Sequence, residues 1–253
     1  MLITDKFIYI HEGKTGGTFV INALKKIHNN RILRRILRLK PGYFDTLKHD
    51  LYIDVPESEK GKPILATVRN PYDRYVALFY YRWWATHPEE KFNDISEVKR
   101  IYPHFPEVSF DEYVKFSNTL KKRLTVPGLD IEDEKGYLTQ TFIKCYFSDP
   151  QKAYEKAGPE YIESREYLRD MGKVDFIHTE NINVELYEYL LKKGHKERKI
   201  RFILEMDRIR PVGEGKTRPD YNWKKHYTPK LRKYVREKED LLFRLFPEYD
   251  VDF

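Results

Sequence analysis

The sequence predicts an α/β fold, a single domain over residues 1–253 with a mainly parallel central sheet flanked by helices. Three observations predict it. Short β-rich runs alternate with helix-periodic stretches, the pattern that builds parallel sheets. A glycine turn joins the first such run to the first such helix. No Ser/Gly/Pro-rich linker, low-complexity run or internal repeat divides the 253 residues, a length sufficient for a substantial core.

The elements follow in order. "KFIYIH" (6–11) is a short β-rich run, and "TFVINALKKIH" (18–28) has helical spacing through Phe19, Ala23, Leu24 and Ile27. "RILRRILRLK" (31–40) places Ile32, Leu33, Ile36 and Leu37 on one helical face and four arginines opposite, which reads first as a solvated basic face. "KPILATVRN" (62–70) reads as a buried parallel strand, followed by a helix over 71–84 opened by Pro71. Ser109 with Glu112 forms a capping-box pattern that starts a helix reaching about Lys122. A further helix is predicted over 136–147, a strand over 173–180, and a helix over 184–194 with Gly194 as its C-terminal cap. Thr228 and Pro229 open a final helix to about Phe246. Residues 85–135 look irregular and are the expected substrate-facing insertion.

Composition narrows the class. Charged residues make up 34% and aromatics 15%, as in a soluble globular protein with an aromatic-lined surface or cleft. Cys145 is the single cysteine, so no intrachain disulfide forms, and a reducing, cytoplasmic setting is expected. The first strand starts within a few residues of Met1, leaving no room ahead of it for a signal peptide on this reading. No apolar run approaches the roughly 20 residues of a membrane span. A formal charge of +7 favours acidic partners: nucleotides, phosphates, sulfated or uronic sugars, or nucleic acid.

The chemistry concentrates in "FIYIHEGKTGGTFV" (7–20). Strand, glycine turn and helix together hold oxyanions, because the first helical amides point at the anion and the helix dipole adds about half a positive charge. Gly16 and Gly17 let the backbone approach, Lys14 supplies a full charge, and Thr15 and Thr18 supply hydroxyls. The nucleoside triphosphatase loop requires a glycine five residues before its Gly-Lys pair. Ile8 stands there, so that motif fails.

"IHEGKTGGT" resembles the "IHIPKTGGT"-type loop of PAPS-dependent sulfotransferases, particularly the group related to heparan sulfate and other carbohydrate enzymes. "ATVRNPYDRYVALFYY" (66–81) resembles the second signature of that family, a strand leading to Arg-(Asp/Asn)-Pro-x-x-Arg and then a helix. Both fall in the expected order, and together they cover about 30 residues of the first third. The resemblance implies a P-loop-like nucleotide fold and sulfuryl transfer from 3′-phosphoadenosine 5′-phosphosulfate to an acceptor hydroxyl, expected on a carbohydrate. It implies that residues 14–18 hold the 5′-phosphosulfate and that Arg69 contacts the 3′-phosphate. The family usually has a serine eight positions after that arginine; Ala77 stands there instead, so one phosphate ligand is replaced. A late basic segment tends to close the nucleotide site in the family, a role that would fall to Lys216 and Arg218.

Such transfer needs charge relief on the leaving phosphate and removal of the acceptor proton. Lys14 suits the first, since donors already in place stabilise charge as it develops. His49, between the two signatures, matches the family's general base, and Glu12 is the reserve base. His11 suits hydrogen bonding on a strand entering the core. No metal is expected, and no nucleic-acid partner. Two other classes remain open on sequence: a nucleotide-dependent kinase with an atypical phosphate loop, and a non-enzymatic basic module for acidic polymers.

Overall fold

The computed structural model describes residues 1–28, 43–45, 50–121, 124, 134–207 and 222–252. The amphipathic 31–40 stretch, His49, Lys216 and Arg218 lie outside the described residues. The chain gathers into two compact units, Met1–Arg69 with Lys144–Ser148 and Leu168–Arg210, and Asn70–Ile143 with Asp149–Tyr167 and Pro211–Phe253. No helix among the described residues is long and apolar enough to cross a membrane.

The first unit carries a five-stranded sheet. Its strands are β1 (Leu2–Thr4), β2 (Ile8–Ile10), β3 (Tyr43–Asp45), β4 (Ile64–Val68) and β5 (Val174–His178), in the order β3-β1-β2-β4-β5. β2, β4 and β5 are parallel, with Ile10 opposite Ala66 and Val68 opposite His178. β1 adds an antiparallel pair on each side, to β2 and to β3. The parallel core expected from strand–helix alternation is present, and β4 at its centre is buried at all five positions. That is the signature of a strand covered on both faces.

One face is covered by two helices, Gly17–His28 and Ile182–Lys192. Phe19, Val20, Ala23 and Leu24 of the first and Leu186 and Leu190 of the second share a core with Tyr9, Leu65 and Ile177 of the strands. On the other face Phe176 meets the Tyr146 ring edge-on at 5.4 Å. The helix Ile182–Lys192 ends as Gly194 predicts. Gly194 takes a φ of +76°, its N–H bonds to Leu191 O, and His195 N–H bonds to Leu190 O. This paired closure needs a left-handed residue, which glycine adopts without a Cβ penalty.

The second unit is helical. Asn70 caps the helix Pro71–Tyr81 by accepting from Tyr72 N–H at 2.9 Å. The helix expected to reach residue 84 stops at Tyr81. Arg82 turns left-handed (φ 58°), its guanidinium held by Glu107 at 2.8 Å, and a short helix Trp83–Thr86 restarts beyond it. The capping box at Ser109 is present and opens the helix Phe110–Thr119. Part of the stretch expected to be irregular is instead short helices at Pro88–Lys91 and Ile95–Ile101.

The predicted C-terminal helix is broken into Pro229–Lys238 and Asp240–Leu245 at Glu239, which is fully buried. Its carboxylate accepts from the Leu138 and Thr139 amides, the Thr139 hydroxyl and the Tyr75 phenol. The carboxylate thereby satisfies the first amides of the helix Tyr137–Tyr146, which have no partner within their own helix. Gly136 makes room for it, since a Cβ there would fall 2.2 Å from Glu239 Oε1.

Candidate functional site

The loop between β2 and the helix Gly17–His28 lies in the first unit, at the carboxyl edge of the parallel strands, where open α/β sheets place their ligands. Two glycines in it are sterically required. A Cβ at Gly17 would stand 1.8 Å from His11 Cδ2, because the His11 ring fills that space. Gly16 has a φ of +87°, and a Cβ there would meet Ile182 Cδ1 at 2.7 Å. Gly13, by contrast, faces nothing within 4 Å. Phe19 is the first helical residue whose N–H bonds back, to Gly16 O at 3.0 Å. The Gly17 and Thr18 amides precede it at the positive end of the helix dipole.

Lys14 is half-buried and adopts a φ of +67°, an uncommon conformation for a residue with a side chain. Its carbonyl accepts from Arg69 Nη1 at 3.1 Å, so the second signature ties directly to the first. Burial, and then the neighbouring Arg69 charge, push the Lys14 ammonium down to about 8. Lys14 is thus partly desolvated beside a second cation, and an oxyanion bound there would favour its charged form.

Beneath the loop runs a chain of hydroxyls whose direction follows from counting protons. Thr15 Oγ1 donates its one proton to Glu12 O at 3.0 Å. At the 2.9 Å contact between Thr15 and Thr67, Thr67 must then be the donor. Its proton being committed, Tyr9 Oη donates to Thr67 at 3.1 Å. Burial raises the Tyr9 phenol far above its usual range, so it keeps the proton that this order needs. The Thr15 hydroxyl expected to face the anion is thus buried and bonded inward. Thr18 is exposed at the start of the helix.

The other sequence-selected residues are placed as follows. His11 is buried and stacks on Tyr9 with ring centroids 5.6 Å apart. Glu12 is 4% exposed. Ala77 is half-buried in the helix Pro71–Tyr81 of the second unit. His28 meets His195 edge-on at 5.6 Å, and His104 contacts Glu112 on the surface. Among the described residues no group of three or more His, Cys, Asp or Glu could hold a metal ion. Sequence reasoning missed Tyr9, Thr67 and Thr179, the hydroxyl residues that fix the loop. Thr179 carried one signal: it is the first residue past β5, on the same carboxyl edge as the loop.

No protein-family model matches the chain, and no curated protein matches it. Among solved structures, mouse sulfotransferase SULT7A1 complexed with PAP is similar at 14% identity and a TM-score of 0.48. The likeness covers 97% of this chain and 84% of that one. At that identity and score, nothing about the activity of this chain follows from the neighbour's.

Proposed function

We propose that this chain is a sulfotransferase that moves a sulfuryl group from 3′-phosphoadenosine 5′-phosphosulfate to an acceptor hydroxyl on a carbohydrate, without a metal, in the cytoplasm. One observation carries the reading. Lys14, on a glycine-built turn at a helix N-terminus, is held to Arg69 at the end of β4, close enough that Arg69 lowers the Lys14 pKa.

In the reaction the acceptor oxygen forms a bond to sulfur while the bond from sulfur to the bridging phosphate oxygen breaks. The electron pair leaves on the 5′-phosphate, and the acceptor proton goes to a base. Lys14 stabilises the charge growing on the leaving oxygen, together with the Gly17 and Thr18 amides. Arg69 takes the 3′-phosphate. His49 is the proposed base and Glu12 the reserve. A bound phosphate beside Lys14 would favour its charged form against the burial and the Arg69 charge that disfavour it, which suits the site to an anionic donor.

The test is transfer of labelled sulfuryl from the donor to a panel of sugars, phenols and peptides in excess chelator. Labelled sugar without metal supports the full proposal. Label on phenols alone removes the carbohydrate acceptor but leaves the chemistry. Transfer only of phosphate from magnesium-ATP favours a kinase.

A further inference from the structure

Two backbone carbonyls face one hydroxyl at the edge of the sheet. Thr179 Oγ1 stands 2.8 Å from Thr15 O in the glycine loop and 2.8 Å from Val68 O at the end of β4. A hydroxyl has one proton, so Thr179 serves the two carbonyls as a shared donor or in alternation. The consequence reaches past the carbonyls. Each belongs to a planar trans peptide whose N–H points the opposite way: Thr15 O shares its plane with Gly16 N–H, and Val68 O with Arg69 N–H. Holding both carbonyls toward Thr179 therefore turns the Gly16 and Arg69 amides away from it together.

We infer that Thr179 is a positioning residue that couples the loop of Lys14 to the strand end of Arg69, so that a nucleoside 3′,5′-bisphosphate is read as one ligand with two phosphates. The inference rests on the proposed function, in which the loop takes the 5′-phosphate and Arg69 the 3′-phosphate. A second tie, Arg69 Nη1 to Lys14 O, joins the same two segments. Without Thr179, each phosphate still meets its own cation, but binding one no longer sets the geometry for the other. Ile182, whose Cδ1 packs against Gly16, limits how far the loop can move in response.

Calorimetric affinities for adenosine 3′,5′-bisphosphate and adenosine 5′-monophosphate test this in wild type, Thr179→Val and Thr179→Ser. The readout is the ratio of the two dissociation constants, which a general loss of stability does not move selectively. Thr179→Val should shrink the advantage of the bisphosphate by about tenfold, the loss expected for one hydrogen bond shared between two segments. Thr179→Ser keeps the hydroxyl and should keep the ratio. An unchanged ratio in Thr179→Val, or a loss in Thr179→Ser as large as in Thr179→Val, overturns the coupling. Amide NMR shifts of the ligand-free variants separate this failure from failure of the functional reading. Thr179→Val should shift the Gly16 and Arg69 amide resonances together, and Thr179→Ser should leave both in place, whether or not any nucleotide binds. A shift at only one of them, or at neither, in Thr179→Val also overturns the coupling. If Thr179→Val does not fold, Thr179→Ala is measured against Thr179→Ser on the same criteria.

Discussion

Arg69 Nη1 donates to the Lys14 carbonyl at 3.1 Å, and the same guanidinium lowers the pKa of the Lys14 ammonium. One residue thus fixes the backbone of the other while repelling its charge. The hydrogen bond holds the two cations near each other despite that repulsion.

Replacing Lys14 should trade function for stability. An unfolded lysine titrates near 10.4 and folded Lys14 near 8. Between these values the unfolded chain binds more protons, so the stability of wild type rises with pH across that window. Below about pH 8 the full penalty of the half-buried ammonium is present. Lys14→Met should therefore melt higher than wild type at pH 7, with the gap closing toward pH 10.5, and should lose turnover. A variant that melts lower at pH 7 contradicts the stated burial.

Ligand binding should take up protons near pH 8. A phosphate beside Lys14 favours its charged form and raises its pKa, so at pH 8 Lys14 recruits up to about half a proton on binding, and near pH 6, where it is already charged, almost none of its own. Calorimetry of adenosine 3′,5′-bisphosphate in buffers of different ionisation enthalpy reads this directly. Uptake that persists in Lys14→Ala would assign the proton elsewhere.

The loop glycines should rank by what a Cβ would strike. Gly13→Ala meets open space and should bind nucleotide like wild type. Gly17→Ala drives a methyl into the His11 ring, and Gly16→Ala adds a left-handed alanine against Ile182. Both should be destabilised by about 1–3 kcal/mol, as overpacked or strained positions are, and should bind weakly. Equal effects at all three positions would mean that the loop is not built as described.

Glu239→Gln should be costly although it conserves shape. Four donors converge on the two oxygens of Glu239, so an amide NH₂ must face some of them. A loss of about 2 kcal/mol or more in chemical denaturation is expected. A loss below about 0.5 kcal/mol would show that the carboxylate is not what breaks the C-terminal helix.

Much of this was legible in the sequence because it depended on local pattern. β4, the capping box at Ser109 and the glycine stop at Gly194 follow from neighbours within a few residues. The break at Glu239 was not legible, because its cause lies about a hundred residues away, at the amides of Leu138 and Thr139. Nor was the inward turn of Thr15. A threonine beside a glycine loop reads as a ligand until Glu12 O and Thr67, the latter brought beside it by strand pairing, give its hydroxyl buried partners. Lys14 and Arg69 could be selected as residue types from their motifs, but the hydrogen bond between them required β2 and β4 to lie side by side.

The central claim is that the Lys14–Arg69 loop binds a nucleoside 3′,5′-bisphosphate without metal. Thermal melting with adenosine 3′,5′-bisphosphate in chelator, beside magnesium-ATP and beside Lys14→Ala, tests it most directly. A ligand at a hundred times its dissociation constant stabilises the fold by about 2.7 kcal/mol, a shift readily seen in melting. Dose-dependent stabilisation by the bisphosphate in chelator, absent with magnesium-ATP and lost in Lys14→Ala, is the predicted result. Stabilisation by magnesium-ATP alone, or by the bisphosphate equally in Lys14→Ala, would contradict the account.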